Sequence, residues 1–297
     1  VSYTDVVQGT LMFLALITVP VMALLSLDHP GDIFSYATSN PYGPWEHGNP
    51  SYFNMVAGVS AATIIGNLAW GLGYFGQPHI VTRFMALRSP AQAKTARRTG
   101  TIWVFICYAG AVFTALVSTV YFGQKSESVT DQTGYETIFL DLARIMFHPL
   151  IAGIVLTAVL AAIMSTMSSQ LLVTSSALIE DLYRIVNKNP NQTSLLVLSR
   201  TMVVVIALIG MLMALNPSDT ILGLVGFAWA GFGSAFGPVV IASLYWRRLT
   251  SQGALAGMIV GAITSFVWGS FFGDIIYEMV PGVILATLAM VLVSLAT

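Results

Sequence analysis

Apolar residues occur along this chain in long uninterrupted segments that short polar stretches separate. A helix that crosses a bilayer needs about 20 predominantly apolar residues. The pattern therefore predicts an all-α polytopic membrane protein with about eight transmembrane helices. The predicted spans are residues 4–27, 55–78, 101–123, 150–178, 195–215, 220–245, 253–272 and 280–297.

One segment between two spans has a different pattern. In residues 135–148, Tyr135, Ile138, Phe139, Leu142, Ile145 and Met146 recur at helical spacing on one face. Glu136, Asp141 and Arg144 lie on the opposite face. This predicts a short amphipathic helix on the outer surface. It is either a lid or a helix that simply packs over the bundle, and packing is the favoured interpretation.

Composition supports a membrane protein. The 297 residues are 56% hydrophobic and 8% charged, with a mean hydropathy of +0.80, whereas soluble domains carry about 25% charged residues. The net charge of −1 does not suggest nucleic-acid binding. Cys107 is the only cysteine, so the sequence has no disulfide framework and no Cys-based metal site. The chain begins at Val1 and ends within a predicted span, so we expect a fragment of a longer protein.

Basic residues concentrate in alternate loops. Ten of the twelve lie in residues 79–100, 179–200 and 246–252, and the opposite loops hold only Lys125 and Arg144. Because cytoplasmic loops carry an excess of Lys and Arg, the first set of loops is predicted to be cytoplasmic. Residues 28–54 then form a long outer loop.

The predicted spans carry no acidic or basic side chain at mid-membrane depth. This argues against a proton pump built on buried carboxylates and against a pore with fixed charges. The phosphate-binding sequence Gly-x-x-x-x-Gly-Lys does not occur, so these residues do not encode transport driven by ATP hydrolysis. Hydroxyls, backbone groups and aromatic rings remain, and they suit a neutral or zwitterionic solute together with a hard cation.

The sequence Trp70-Gly-Leu-Gly-Tyr-Phe-Gly-Gln-Pro-His79 interrupts an apolar run. In lipid, a broken helix is tolerated only where it lines a protein-enclosed cavity, and such breaks hold solutes and ions in secondary transporters. Trp70 and Tyr74 share a face if the helix persists that far, and Pro78 is expected to stop it. The alternative is a plain helix end with interfacial aromatic residues. A binding site is favoured over that alternative.

A second candidate is the hydroxyl-rich segment within the 150–178 span. Ser165, Thr166, Ser168 and Ser169 fall within five residues. Sodium takes oxygen ligands, and Ser165 and Thr166 with the carbonyl of Ala162 could supply three. Hydroxyls that bond back to their helix or across to another explain the pattern equally well.

Two further features have a structural interpretation as their default. Asp5 lies at the start of the first span, where an acidic residue is usually a helix cap or a dipole partner, although it could also hold a cation.

Small residues in the 220–245 span permit close helix packing, and a hinge is the alternative. These small residues are Gly223, Gly226, Gly231, Gly233 and Gly237, followed by Pro238.

The 70–79 segment with Arg83-Phe-Met85 resembles the sodium:solute symporter family, in particular its proline-transporting branch. The same is true of Ala161-Ala-Ile-Met-Ser-Thr166, Glu180-Asp-Leu-Tyr183, Ala228-Trp-Ala-Gly-Phe-Gly233, Phe236-Gly-Pro238 and Gly253-Ala-Leu-Ala-Gly-Met258. The resemblance runs nearly end to end. It implies the LeuT-type fold of two inverted five-helix repeats. In that scheme 4–27 is the last helix of the first repeat, 55–245 is the second repeat, and 253–297 is peripheral.

The resemblance also implies roles for individual residues. The proline-binding residues would be Trp70, Tyr74 and Pro78. The sodium ligands would be Ala162, Ser165 and Thr166. Asp5 would contact sodium near the inner exit.

The function implied is sodium-coupled import of L-proline by alternating access in the bacterial cytoplasmic membrane. The protein would be a transporter rather than an enzyme, with no cofactor beyond the coupling ion. There are two alternatives. One is a symporter of the same family that carries another small solute, and the other is the solute-sensing membrane domain of a sensor kinase. The first four helices of the first repeat are absent from the sequence, so we expect that these residues alone do not transport.

Overall fold

The structure is a computed structural model. It describes residues 2–31, 33–35, 53–54, 56–124, 132–183, 185, 191–215 and 220–297. The principal helices in these residues are α1 Ser2–Leu25, α2 Ala61–Gly76, α3 Pro78–Met85, α4 Pro90–Gln124, α5 Gln132–Met146, α6 Pro149–Ser176, α7 Gln192–Ala214, α8 Ile221–Tyr245, α9 Ser251–Phe271 and α10 Met279–Ala296. A π-helical segment, Ala177–Tyr183, continues α6.

The all-α polytopic class is confirmed. No strand occurs in the described residues, and seven helices among them are long and apolar enough to cross a membrane. The remaining predicted span, 55–78, forms only the 16-residue α2. The reason is local. The Ser60 hydroxyl accepts a hydrogen bond from the Thr63 amide and caps the helix, so α2 begins at Ala61, six residues after the predicted start at 55. The inverted-repeat arrangement stays a prediction.

The helices cluster into two compact units. The first draws on residues 1–54 and 89–216, and the second on 55–88 and 217–297. Both expose large apolar side chains along their helices. In the apolar window of α7, for example, only 6% of residues are buried. Soluble monomers rarely expose apolar surface on this scale, so these faces suit contact with lipid.

The first unit has its core where α1, α4, α5 and α6 meet. Val19, Val117, Leu142 and Ala158 are almost fully buried there. The amphipathic helix predicted at 135–148 is confirmed as α5, and it packs its apolar face onto this core. Ile145 is an exception to the predicted stripe, because its side chain is exposed.

The second unit is held together by small residues at a spacing of four. Gly257 of α9 meets Met290 and the Ala286 carbonyl of α10, and Gly261 lies against the Ser234 carbonyl of α8. Without side chains at these positions the helix backbones approach closely, which is the usual basis of helix association in membranes.

Charge is distributed unevenly along the second unit. Arg83 and Arg88 follow the break after α2, and Arg247 and Arg248 lie between α8 and α9. The turn between α9 and α10 instead carries Asp274 and Glu278 with no basic residue. The distribution of basic residues therefore predicts that this turn lies on the outer side of the membrane.

Candidate functional site

The helix break predicted at 70–79 is present, and it is one residue wide. α2 continues through Gly71 and Gly73 to Gly76, Gln77 is extended with φ −83° and ψ 111°, and α3 begins at Pro78. Pro78 therefore ends α2, as predicted, and it also starts α3, which the prediction did not include. Proline suits the first helical position because no amide is needed there, and it biases the preceding residue toward an extended backbone.

The glycines of this segment serve close packing. A Cβ at Gly73 would overlap the indole of Trp229, and one at Gly76 would overlap the Phe232 carbonyl of α8. Gly71 has open space around it. Two of the three glycines therefore reflect the contact of α2 with α8 rather than an opening of the helix.

Trp70 and Tyr74 share one face of α2, as predicted, and both contact Trp229 of α8. The Trp70 and Trp229 rings stack with centroids 5.6 Å apart, and Tyr74 meets Trp229 edge-on at 4.9 Å. Trp70 also stacks on Tyr277, which precedes α10, at 5.9 Å. Such aromatic pairs are worth about 0.5–1.5 kcal/mol each beyond the burial of area. The predicted substrate residues thus belong to a larger aromatic cluster.

Trp229 contacts the backbone on both sides of the break. Its indole Nε1 donates to the Trp70 carbonyl at 3.0 Å, and its own carbonyl accepts from the buried Gln77 amide side chain at 3.4 Å. The sequence patterns do not single out Gln77 as a functional residue. An amide side chain beside a proline within an apolar segment was the available signal, since a buried amide must find partners.

The predicted sodium residues Ala162, Ser165 and Thr166 lie on α6. The Ser165 hydroxyl donates to Asp5 Oδ1 of α1 at 3.3 Å, and Thr166 Oγ1 donates to the Ala162 carbonyl at 3.3 Å. Both distances exceed the usual 2.5–3.0 Å for a hydroxyl donor. Ser165 and Asp5, which are 160 residues apart in sequence, are therefore brought together by a weak hydrogen bond.

The neighbouring hydroxyls bond within their own helix. Ser168 and Ser169 both donate to the Ser165 carbonyl, at 3.1 and 2.9 Å. This matches the alternative in which serines bond back to helix carbonyls. Asp5 lies in the first turn of α1, as its default interpretation as a dipole partner expects, and it also accepts the weak hydrogen bond from Ser165 of α6.

Gln8, which the sequence patterns do not single out either, lies one turn after Asp5 on α1. Its side-chain oxygen is buried and has no hydrogen-bond partner among the described residues. Residues three apart share a helix face, so this face of α1 carries a carboxylate and a free amide oxygen. The predicted sodium residues lie in the first unit and the predicted substrate residues in the second.

Comparison with known proteins identifies a family. The profile described as "Sodium:solute symporter family" matches residues 1–261. The chain is 46% identical over 299 residues to the high-affinity proline transporter PutP of Bacillus subtilis, covering 100% of this chain and 61% of that protein. It is 46% identical over 301 residues to the osmoregulated proline transporter OpuE of the same species, covering 100% of this chain and 59% of OpuE.

A third relative is the sodium/proline symporter of Escherichia coli. It is 44% identical over 298 residues, which cover 99% of this chain and 58% of the symporter. The chain thus spans about three fifths of the length of these relatives.

Proposed function

This chain belongs to the sodium:solute symporter family, and from that premise we propose that it forms part of a sodium-coupled L-proline importer in the bacterial cytoplasmic membrane. The observation that carries the proposal is identity of 44–46% along essentially the whole chain to proteins named for proline transport. Those names favour proline over another solute of the family, and transport over sensing by a kinase-linked domain.

The proposed proline site centres on Trp70, Tyr74 and Pro78. The two aromatic side chains offer an apolar surface with polar tips, which suits a small saturated ring bearing an ammonium group. The break at Gln77 adds the ends of two helices. The carbonyl end of α2 carries partial negative charge and the amide end of α3 partial positive charge. A zwitterion complements both, and no buried side-chain charge is needed.

The proposed sodium site uses the Ala162 carbonyl and the hydroxyls of Ser165 and Thr166. Hydroxyl and carbonyl oxygens are the ligands that hard cations prefer. The two hydrogen bonds that these hydroxyls make are both 3.3 Å long, so a cation displaces weak contacts when it binds. Asp5, the partner of Ser165, would take up sodium as it leaves toward the cytoplasm.

Coupling follows from the linkage between the two ligands. If bound sodium favours the outward-facing state and orders the proline site, then proline must strengthen sodium binding by the same factor. The sodium gradient then drives proline accumulation through alternating access.

The experiment that tests the proposal is uptake of labelled L-proline by cells that express the complete coding sequence. Sodium should stimulate uptake strongly relative to potassium at equal ionic strength. Uptake that does not depend on sodium would contradict the coupling. Sodium-dependent uptake of a different amino acid or sugar, with proline inactive, would retain the family mechanism and overturn the substrate.

A further inference from the structure

A cavity of about 280 Å³ lies within the second unit, between the start of α2 and the turn that joins α9 to α10. Thr63, Asn67 and Trp70 line it from α2, and Asp274, Tyr277 and Glu278 line it from the turn. We call it the outer cavity, because the distribution of basic residues places this turn on the outer side.

Glu278 is the unusual residue of the outer cavity. Its side chain is only 8% exposed, and the carboxyl carbon lies against Gly269 of α9. Glu278 does not cap α10 with its side chain. None of the other residues that the structure describes donates a hydrogen bond to its carboxylate or offers it a positive charge. Burial raises the pKa of Glu278, since the charged form loses hydration there.

An ionised carboxylate that loses most of its hydration and has no cationic partner is unfavourable. A cation in the cavity would supply the missing charge. Asp274 lines the same cavity, and no basic residue does, so the local field favours positive ligands.

The other walls indicate which kind of cation fits. Trp70 and Tyr277 stack on each other and offer aromatic edges and faces beside the carboxylates. Asn67 makes no hydrogen bond with another described residue, so its amide group is available to a polar ligand. A bare metal ion would leave most of the 280 Å³ to water, since one water molecule accounts for about 30 Å³. A small organic ion fills it better.

We propose that the outer cavity binds the ammonium group of a small organic cation or zwitterion, with Glu278 as the counter-charge. Trp70 is a wall of this cavity and also a residue of the proposed proline site. A solute held here would therefore contact the aromatic cluster from the outer solution. The identity of the solute as proline rests on the proposed function, whereas the preference for an ammonium group does not.

Cysteine labelling tests this inference without requiring transport. The variant Asn67→Cys is made in the complete protein with Cys107→Ser, so that it carries the cysteine to be labelled. It is treated from outside with one of two methanethiosulfonates, the cationic trimethylammonium ethyl reagent or the anionic sulfonatoethyl reagent. Each labelling rate is divided by the rate of the same reagent with a free thiol in solution. We expect the normalised rate of the cationic reagent to be at least about tenfold higher than that of the anionic one, because the cavity carries negative charge. Ser270→Cys, near the outer end of α9 and outside the cavity, is the matched control and should show little preference.

Protection identifies the ligand. Tetramethylammonium chloride and L-proline should each slow the labelling of Asn67→Cys in sodium-free medium, whereas tetrahydrofuran-2-carboxylate, which lacks the ammonium group, should not. Adding Glu278→Gln should remove both the charge preference and the protection. Because the first two measurements keep Glu278 unchanged, they remain decisive if that variant folds poorly.

Equal rates for the two reagents, equal protection by the ammonium-free analogue, or protection by sodium chloride alone would each overturn the inference. The outcome is separable from that of the uptake experiment. Charge preference and tetramethylammonium protection without proline uptake would overturn the proposed function and leave the cavity assignment intact. Uptake without charge preference would do the reverse.

Discussion

The indole nitrogen of Trp229 donates a hydrogen bond to the backbone carbonyl of Trp70 at 3.0 Å, across 159 residues of sequence. The contact holds the indole directly over Gly73, so the end of α2 and the middle of α8 fit together only without a side chain at that position. The helix break after Gly76 is therefore fixed by packing on α8.

Gly73→Ala tests this relationship. The added methyl group would overlap the Trp229 indole, and overpacking of this kind typically lowers the free energy of unfolding by about 1–3 kcal/mol. Gly71→Ala is the matched control, because its methyl group meets open space and alanine favours a helix. Thermal unfolding in detergent should show a lower midpoint for Gly73→Ala only. Equal midpoints would show that Trp229 does not occupy this place.

Trp229→Phe separates the hydrogen bond from the stacking. Phenylalanine keeps an aromatic ring beside Trp70 and Tyr74 but cannot donate to the Trp70 carbonyl, and a hydrogen bond of this kind contributes about 0.5–1.5 kcal/mol. We expect a raised KM for proline uptake with normal amounts of protein in the membrane. Trp246→Phe, at the end of α8, is the control. An unchanged KM in Trp229→Phe would remove this contact from the proline site.

The sequence predicted the helices well and their contacts poorly, for physical reasons. Apolar length identifies a span, but a single capping hydroxyl at Ser60 decides where α2 begins. The glycines near Trp70 are compatible with an opened helix and with close packing, because glycine allows both an irregular backbone and close approach. Only the position of Trp229 distinguishes an opened helix from a closely packed one. The pairing of Asp5 with Ser165 depends on how α1 packs on α6, which local sequence does not encode.

Thr166→Val should raise the sodium concentration needed for half-maximal proline uptake. Valine keeps the shape of threonine and loses the oxygen, and losing one hydrogen bond or ligand to a charged group costs about 1.5–3 kcal/mol, or roughly tenfold or more. Thr157→Val is a close control, since Thr157 is also exposed on α6 and its hydroxyl donates to the Gly153 carbonyl within the helix. If both variants behave like the wild type, Thr166 is not a sodium ligand.

Glu278 should make the stability of the protein depend on pH. Burial raises its pKa in the folded state above the ordinary value of 4.5. The folded state then binds this proton more tightly than the unfolded state, so stability falls as pH rises from about 4.5 through the raised value. Asp274 and the Tyr277 phenol are the other titratable groups that line the cavity. Burial, and next the Glu278 charge, raise the pKa of Tyr277, so it stays neutral over this range.

Unfolding midpoints measured between pH 4 and pH 8 without amine ligand check this dependence. Glu278→Gln should be more stable than the wild type at neutral pH, and the difference should vanish near pH 4. Glu136→Gln changes an exposed carboxylate on α5 and should leave the wild-type pH dependence in place. A constant difference between Glu278→Gln and the wild type at every pH would show that charge burial is not its cause.

The meeting point of α8, α9 and α10 offers a test of packing in the second unit. Ser234 and Ser265 are buried, and their hydroxyls have no hydrogen-bond partner among the described residues. A Cβ at Gly282 would overlap the Ser234 hydroxyl. Removing an unsatisfied hydroxyl is close to neutral or stabilising, whereas adding a methyl group where no space exists is destabilising. Ser234→Ala should therefore hold or raise the unfolding midpoint, and Gly282→Ala should lower it.

The double variant Ser234→Ala/Gly282→Ala makes this prediction specific. If the two side chains compete for one space, removing the hydroxyl should recover part of the stability that Gly282→Ala loses, with a coupling of about 0.5–3 kcal/mol. Ser270→Ala/Gly282→Ala is the control, because Ser270 is exposed and bonds to the Phe266 carbonyl of its own helix. Strictly additive effects in the first pair would mean that α10 does not bring Gly282 against Ser234.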